Sequence, residues 1–169
     1  MSKPPKQNQK GIQIAYLADH AEFVPQIAAW YFAEWGRRVP GNSVEQTCSR
    51  LNAKLNRARV PIPIVALADR ELLGTAQLKI REMECFPEYE FWLGGVYVAS
   101  RARGRGIGEL LVERIEEISR QLGIRKLYLQ TEMPGGGLYT RLGWQPLEQA
   151  DAQGTRISVM RKEFHRKDT

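Results

Sequence analysis

The segment 96–108 constrains the fold of this chain more than any other, because it joins a strand pattern to a helix pattern through a run of glycines. The strand ends with Val96, Tyr97 and Val98, which are β-branched or aromatic. The loop that follows contains Arg103, Gly104, Arg105, Gly106, Ile107 and Gly108. The first amides of a helix have no intrahelical acceptor, and glycines let a phosphate approach the backbone closely. The unit therefore predicts an anion site at the start of a helix.

Two other phosphate-binding motifs do not fit this spacing. A dinucleotide fingerprint, G-x-G-x-x-G, would need a third glycine where the chain has Glu109 or Leu111. A P-loop would need a Gly-Lys-Ser/Thr triplet after the glycines, and none is present. The bland alternative is a glycine-rich loop with solvated arginines, but strand, glycines and helix stand here in the order that an anion site requires.

The overall composition predicts one domain. A chain of 169 residues with 43% hydrophobic content can bury a single core, which we place at residues 12–164 between flexible tails at 1–11 and 165–169. No apolar run reaches the length of about eighteen residues that a membrane helix needs, and the start lacks a signal core, so we expect a cytoplasmic protein without membrane contact. Cys48 and Cys85 have no metal-ligand spacing, and we expect neither a disulfide nor a metal site.

The positive charge has several explanations. A net charge of +6 is compatible with a nucleic acid, a phosphorylated cofactor or a solvated surface. Three of the arginines fall at positions 101, 103 and 105 among the glycines, whereas the others are scattered. Because the chain lacks a module in which exposed aromatic and basic residues alternate, the sequence does not favour nucleic acid as a partner.

The remaining pattern alternates strands and helices. Strands are predicted at 12–17, 64–68, 73–81, 89–99, 126–131, 144–147 and 156–164. Helices are predicted from a cap at Asp19 to about Gly36, from a Ser43–Gln46 capping box, at 107–122 and at 138–142. Paired glycines 94 and 95 inside the fourth strand indicate a bulge or a close approach to a ligand.

Two motifs in this order resemble the GNAT superfamily of N-acetyltransferases. Residues 103–108 meet every fixed position of the family's Q/R-x-x-G-x-G/A signature. Leu138-Tyr139-Thr140-Arg141-Leu142-Gly143-Trp144 resembles its L-Y-x-x-x-G-F segment, with tryptophan in place of phenylalanine. The resemblance implies an α/β (α+β) fold with a mixed, mostly antiparallel central sheet of about seven strands and about four flanking helices.

The resemblance also implies a binding mode for acetyl-CoA. Its pyrophosphate would lie on the amides of residues 103–108, and its pantetheine arm would run beside residues 96–98. One departure concerns the residue after the fifth strand, where many relatives have asparagine and this chain has Glu132. The alanine that usually follows is replaced by Gly135. We therefore expect the cofactor contacts of residues 132–137 to differ, and those of the phosphate site to be kept.

Acyl transfer to an amine needs a base, an oxyanion donor and an acid for the leaving thiolate. Tyr139 is the candidate general acid, because a phenol with a pKa of about 10 stays protonated near neutrality. The amides of residues 95–97 are candidates for the oxyanion. Glu90 is the favoured general base, because alternation places it on an exposed face, but Glu88 and Glu82 remain alternatives.

The acceptor is expected to be a primary amine of a small molecule or peptide, bound beside the first two helices and the loop 37–42. Trp30, Tyr31 and Trp35 are candidates for one wall of its pocket, and the acidic residues at 82–90 favour a cationic acceptor. A non-catalytic module that binds or senses CoA is the alternative. The sequence is compatible with a monomer or a homodimer.

Overall fold

The structure, a computed structural model, describes residues 9–152 and 154–165. The strands in this part are β1 (Gln13–Tyr16), β2 (Ile62–Ala68), β3 (Glu71–Ile80), β4 (Phe91–Val98), β5 (Lys126–Thr131), β6 (Gln145–Ala152) and β7 (Thr155–Glu163). The α-helices are α1 (Val24–Glu34), α2 (Val44–Asn52), α3 (Ile107–Gln121) and α4 (Leu138–Arg141). The strands form one sheet in the order β1-β2-β3-β4-β5-β7-β6. Only β4 and β5 pair in parallel among these neighbours, so the predicted mixed, mostly antiparallel α/β fold is confirmed.

The helices cover both faces of the sheet. Helix α3 buries Leu111 and Ile115 against one face, in a cluster that includes Ile64 of β2. Helices α1 and α2 cover the opposite face, where Ile27 packs in a cluster with Val65. Because successive side chains of a strand point to opposite faces, the apolar run of β2 can serve both clusters.

Local sequence signals set several element boundaries as predicted. Asp69 and Arg70 both have positive φ, at 50° and 65°, which is the geometry of a tight hairpin turn between β2 and β3. The Ser43 hydroxyl accepts a hydrogen bond of 3.1 Å from the Gln46 amide at the start of α2. Gly123 follows α3 with φ of 77°, which fits a left-handed C-terminal cap.

Three expectations about boundaries are wrong. Asp19 does not cap α1, which begins at Val24 after two short 3-10 turns; the Asp19 carboxylate instead forms an ion pair with Arg57. The second strand, predicted from residue 64, begins at Ile62, so Pro63 lies inside β2. The pairing with β1 ends at Ile64, and the missing amide of the proline therefore removes no bond to β1. Strand β4 begins at Phe91, two residues later than predicted.

The predicted tails lie largely outside the described residues. Gln9 is described, and it is buried with 5% of its surface exposed. Its side-chain amide donates a hydrogen bond of 3.1 Å to the carbonyl of Gly106, so the described fold brings Gln9 onto the glycine loop. Among the helices of the described residues, none has the length and apolar character needed to span a bilayer.

Candidate active site

The glycine loop places the first amides of α3 at one end of the sheet. Gly104 and Gly106 have φ of 83° and 74°, and Gly106 immediately precedes α3. No described side chain caps this helix, and Ile107 is anchored in the core with 1% exposure. Arg103 donates to the Val98 carbonyl at 3.2 Å, which ties the loop to the end of β4. The first amides of α3 thus fit an anionic group such as a diphosphate.

The strands β4 and β5 diverge next to this loop. Their parallel pairing is limited to Trp92 opposite Tyr128, so the end of β4 has no β5 partner. This segment contains Val96, Tyr97 and Val98, which the sequence assigned to the cofactor, and their side chains are half-buried. An extended ligand can bond to an unpaired strand edge as an additional strand would. The gap therefore fits a pantetheine arm that leads to the amides of α3.

A large groove opens from this gap. Its volume is about 1080 Å³, and its walls come from α1, α2, β3, β4, β5 and the start of α4. Tyr31 and Trp35 line it as predicted. Trp30 is not part of its wall and packs against Tyr97, with 5.0 Å between ring centroids and 33° between ring planes. A groove of this volume is at the upper end of the range of about 300–1,000 Å³ that is typical of small-molecule sites.

The predicted glycine bulge lies in the wall of the groove. Thr75 pairs with Tyr97 and Gln77 pairs with Gly94, so Gly95 and Val96 stand opposite a single residue of β3. Gly95 has φ of 59°. Such a bulge changes the direction of the local backbone groups, which keeps the amides of residues 95–97 as oxyanion candidates.

Tyr31 fixes the carbonyl side of this bulge. Its hydroxyl donates a hydrogen bond of 2.7 Å to the Gly95 carbonyl and accepts one of 3.1 Å from the side-chain amide of Gln77. Burial raises the pKa of Tyr31, and the bond from Gln77 opposes the shift only in part. Tyr31 therefore stays a neutral hydrogen-bond donor near neutral pH.

A partly buried ion pair lies against the same bulge. Lys79 Nζ and Glu82 Oε1 are 2.9 Å apart, and a Cβ at Gly94 would meet Glu82 Oε1 at 2.9 Å. Burial lowers the pKa of Lys79, but the attraction of the Glu82 carboxylate outweighs it, so the net pKa is raised. The other carboxylate oxygen, Glu82 Oε2, is buried without a hydrogen-bond partner.

Tyr139 lines the groove at the start of α4. Burial, and in second place the negative charge of Glu82, raises the pKa of Tyr139 to about 12. Its ring meets Trp144 edge-on at 6.3 Å between centroids. Tyr139 thus keeps its proton, and its electrostatic coupling to Glu82 places a proton donor and a proton acceptor at the same groove.

Glu90 lies elsewhere. It is exposed, it precedes β4 and it is not among the residues that line the groove. The alternation that favoured Glu90 does not apply, because the strand begins only at Phe91 and both Trp92 and Leu93 are buried. Of the three glutamates considered from the sequence, Glu82 is the one in the groove wall.

Glu132, the departure from the family pattern, bonds to the opposite wall. Its carboxylate forms an ion pair with Arg38 of the loop after α1, and both residues line the groove. The hydrogen bond to Glu132 is the largest cause of a raised pKa of Arg38. The residue that follows β5 is therefore engaged by a side chain of this chain.

Sequence reasoning missed Gln77, Lys79 and Lys54, which also line the groove, whereas Arg38 lies in the loop 37–42 that the sequence assigned to the acceptor pocket. A signal existed for the first two, since Gln77 and Lys79 are polar residues at alternate positions of an otherwise apolar strand. No group of His, Cys, Asp and Glu within residues 9–152 and 154–165 could hold a metal ion.

Comparisons with known proteins agree with this geometry. The model of the acetyltransferase (GNAT) family matches residues 24–144. The structure of yncA from Salmonella typhimurium with its cofactor acetyl-CoA has a TM-score of 0.70 at 14% identity, over 95% of this chain and 98% of the other. An aminoglycoside 6'-N-acetyltransferase complexed with coenzyme A has a TM-score of 0.72 at 17% identity, over 92% and 99%. An N-acetyltransferase from Staphylococcus aureus Mu50 has a TM-score of 0.69 at 13% identity, over 90% and 98%. A comparison with curated proteins finds no significant match.

The sheet of this chain splits beside a glycine loop and the start of a helix, and its fold matches that of the solved acetyltransferases. The family match covers most of the chain, and the protein belongs to the acetyltransferase (GNAT) family. It is therefore an acyltransferase.

Proposed function

We propose that the protein is an acetyl-CoA-dependent N-acetyltransferase that acts on a primary amine of a small molecule or peptide by direct attack. The observation that supports this most strongly is the split between β4 and β5, which ends at the uncapped amides of α3 on one side and at Tyr139 and Glu82 on the other. The residues assigned to acetyl-CoA are Val96, Tyr97, Val98, Arg103, Gly104, Arg105, Gly106, Ile107 and Gly108.

The proposed mechanism assigns one group of the groove as the base, one as the oxyanion donor and one as the acid. Acetyl-CoA supplies an acetyl thioester when bound. Glu82 takes a proton from the acceptor ammonium, directly or through water, and the neutral nitrogen can then form the new C–N bond. A backbone amide of residues 95–97 donates to the oxyanion of the tetrahedral intermediate. Tyr139 gives its proton to the departing sulfur as the C–S bond breaks. The nitrogen then loses its second proton, which returns to the Tyr139 oxygen through water, and Glu82 releases its proton to solvent.

Glu82 replaces Glu90 as the proposed base for two reasons. Its carboxylate lies against Gly94, next to the bulge, whereas Glu90 lies outside the groove. Its Oε2 atom has no hydrogen-bond partner and can accept a proton from the acceptor, while Lys79 holds Oε1.

The test combines calorimetry with an assay of thiol release. We expect the protein to bind CoA and to release thiol from acetyl-CoA only when an amine is present. Glu82→Gln should lower kcat by about 100-fold or more and leave CoA binding intact, whereas Glu90→Gln should change neither. CoA binding without release by any amine would indicate a sensing module instead. Absence of CoA binding would refute the proposal. The cytoplasmic location and the monomeric or homodimeric state stay predictions.

A further inference from the structure

The groove wall around Glu82, which we call the inner end of the groove, contains polar side chains that the proposed proton transfers do not use. Behind Glu82 lie Gln77 and Lys79 of β3, and Lys54 just after α2 faces the same groove. Glu34, Glu84 and Asp151 are exposed residues of the same wall. The inner end therefore combines buried hydrogen-bond acceptors with cationic side chains.

Two of these acceptors have no partner. Tyr31 gives its single hydroxyl proton to the Gly95 carbonyl, so its contact with Gln77 requires the Gln77 nitrogen to face Tyr31. This orientation leaves Gln77 Oε1 buried without a hydrogen-bond partner, on a residue that is 3% exposed. Glu82 Oε2 is likewise buried without a hydrogen-bond partner. An unpartnered buried acceptor costs free energy, and N–H donors of a bound ammonium would remove that cost.

Lys54 supplies the opposite charge. Its side chain is half-buried, and no hydrogen-bond or ion-pair partner for its ammonium is found within residues 9–152 and 154–165. Burial lowers the pKa of Lys54, and the nearby charges of Lys79 and Arg50 lower it further. A bound anion would relieve both effects.

The neighbours of Lys54 do not neutralise it. Glu82 is the one carboxylate that raises its pKa, and that carboxylate is bonded to Lys79. Arg50 donates to the uncharged oxygens of Asn42 and Thr47, at 2.7 Å and 3.3 Å. Lys54 is thus, among the described residues, the cation of the groove wall whose ammonium has no bonded partner, and it can bind an anionic group of the ligand.

We propose that the acceptor is a small amino acid, in which Lys54 binds the carboxylate while Gln77 Oε1 and Glu82 Oε2 accept hydrogen bonds from the primary amine. This proposal rests on the proposed function and adds its substrate class. Acetyl transfer to such an acceptor yields an N-acetylamino acid and a free thiol. Lys54 is a specificity residue, because it touches the acceptor at a point remote from the reacting nitrogen.

The experiment compares acceptors that differ only in the carboxylate. Free α-, β- and γ-amino acids and their matching carboxamides are tested as ligands of the CoA-saturated protein by calorimetry, and as substrates with acetyl-CoA. We expect at least one free amino acid to bind and to be acetylated at least 10-fold better than its carboxamide, because a charge-assisted contact to Lys54 is lost in the amide. Equal binding and turnover of acid and amide, or no binding by any amino acid, would overturn the proposal.

Variants assign the effect to one side chain. Lys54→Met should lower kcat/KM for the preferred amino acid by about 10- to 100-fold, mainly by raising KM. The kcat/KM for its carboxamide should not change. Lys54→Arg should restore part of the loss. Lys126→Met, which removes the same charge at an exposed site outside the groove wall, is the matched control and should have no effect. If Lys54→Met weakens acid and amide alike, the assignment of Lys54 is wrong.

The binding arm separates this proposal from the proposed function. Carboxylate-dependent binding without turnover of any amine would support the amino-acid site and refute the acetyltransferase activity. Turnover of amines with no preference for a carboxylate would support the activity and refute the amino-acid site.

Discussion

The hydroxyl of Tyr31 lies 2.7 Å from the carbonyl oxygen of Gly95, so a side chain of α1 holds the bulge of β4. The contact depends on glycine, because a Cβ at this position would lie 2.5 Å from the Tyr31 oxygen. Helix α1 and the proposed oxyanion site are thereby coupled. An acceptor that displaces α1 would also displace the amides of residues 95–97.

Gly95→Ala should cost both stability and activity. The substitution adds the strain of φ at 59° to the clash with Tyr31. Gly123→Ala is the matched control, because Gly123 has φ of 77° and open space around its Cβ position. We expect about 1–2 kcal/mol of destabilisation for Gly123→Ala and clearly more for Gly95→Ala in urea unfolding. Equal losses of unfolding free energy in the two variants would show that the bulge adjusts to a Cβ at position 95 and that the clash with Tyr31 adds nothing.

Tyr31→Phe should lower activity while the protein stays folded. The change leaves the Gly95 carbonyl and the Gln77 amide nitrogen without their partner, which costs about 1–3 kcal/mol for a buried group. We expect a lower kcat with unchanged CoA affinity, measured by thiol release and calorimetry. Tyr89→Phe is the control, since the Tyr89 hydroxyl bonds to Glu148 outside the groove. An unchanged kcat in Tyr31→Phe would contradict a role for the bulge in transfer.

Tyr139 gives a prediction about pH. Its pKa is raised to about 12 in the folded protein, by burial and by Glu82, whereas an unfolded tyrosine titrates near pH 10. Below pH 10 both states hold the proton, so the folded state keeps its full advantage. Above pH 10 the unfolded state loses the proton first, and the free energy of unfolding should fall as the pH rises towards 12. The same sign holds for Tyr31, whose pKa is also raised.

Tyr139→Phe separates this effect from catalysis. The variant should flatten the fall in unfolding free energy between pH 10 and 12, as followed by urea titrations at several pH values. It should also lower kcat by about 100-fold or more at pH 7.5, because no proton donor is left for the thiolate. An unchanged kcat would refute the acid role, and an unchanged alkaline slope would show that Tyr139 is not the group that titrates.

The sequence predicted those parts of the fold that local rules control. The helix 107–121 and the strand 126–131 follow from periodicity, and the Gly94–Gly95 bulge follows from two glycines in a strand. Local rules could not show that Glu90 lies outside the groove, because its position depends on where β4 starts. That boundary results from tertiary pairing of Phe91 with Ile80.

The acceptor side of the groove was the least predictable part. Arg38 and Glu132 are far apart in the chain, and their ion pair forms only when the loop after α1 meets the end of β5. Lys54 and Gln77 are likewise brought together by the packing of α2 and β3 around one groove. No residue spacing encodes such contacts, although polar residues inside an apolar strand indicate where to look.

The Arg38–Glu132 pair should affect acceptor binding more than stability. Both side chains are nearly half exposed, at 45% and 46%, and solvent screening leaves such pairs little effect on stability. Because the pair joins two walls of the groove, Glu132→Gln should raise the acceptor KM several-fold and leave CoA affinity unchanged. The charge swap Arg38→Glu with Glu132→Arg should restore the KM. A KM that responds to neither change would show that the two walls hold their positions without the pair.

The Glu116 carboxylate is the most deeply buried charge of α3, and it should control stability without touching the groove. It is 4% exposed and accepts from Lys162 Nζ at 2.8 Å and from Trp144 Nε1 at 3.1 Å. Lys162→Met leaves this carboxylate without its cation, and breaking such a pair costs about 3–5 kcal/mol. Urea unfolding measures the loss, and Lys126→Met, at an exposed site, should change stability by less than about 0.5 kcal/mol.

Removing both charges of this pair should cost less than removing one. In Glu116→Gln with Lys162→Met no uncompensated charge is buried, and the amide oxygen of the substituted side chain could still accept from Trp144. We therefore expect the double variant to be more stable than Lys162→Met alone, with CoA affinity unchanged because the network lies outside the groove wall. A double variant that loses the sum of the two single losses would show that the two side chains contribute independently, without a coupling energy between them.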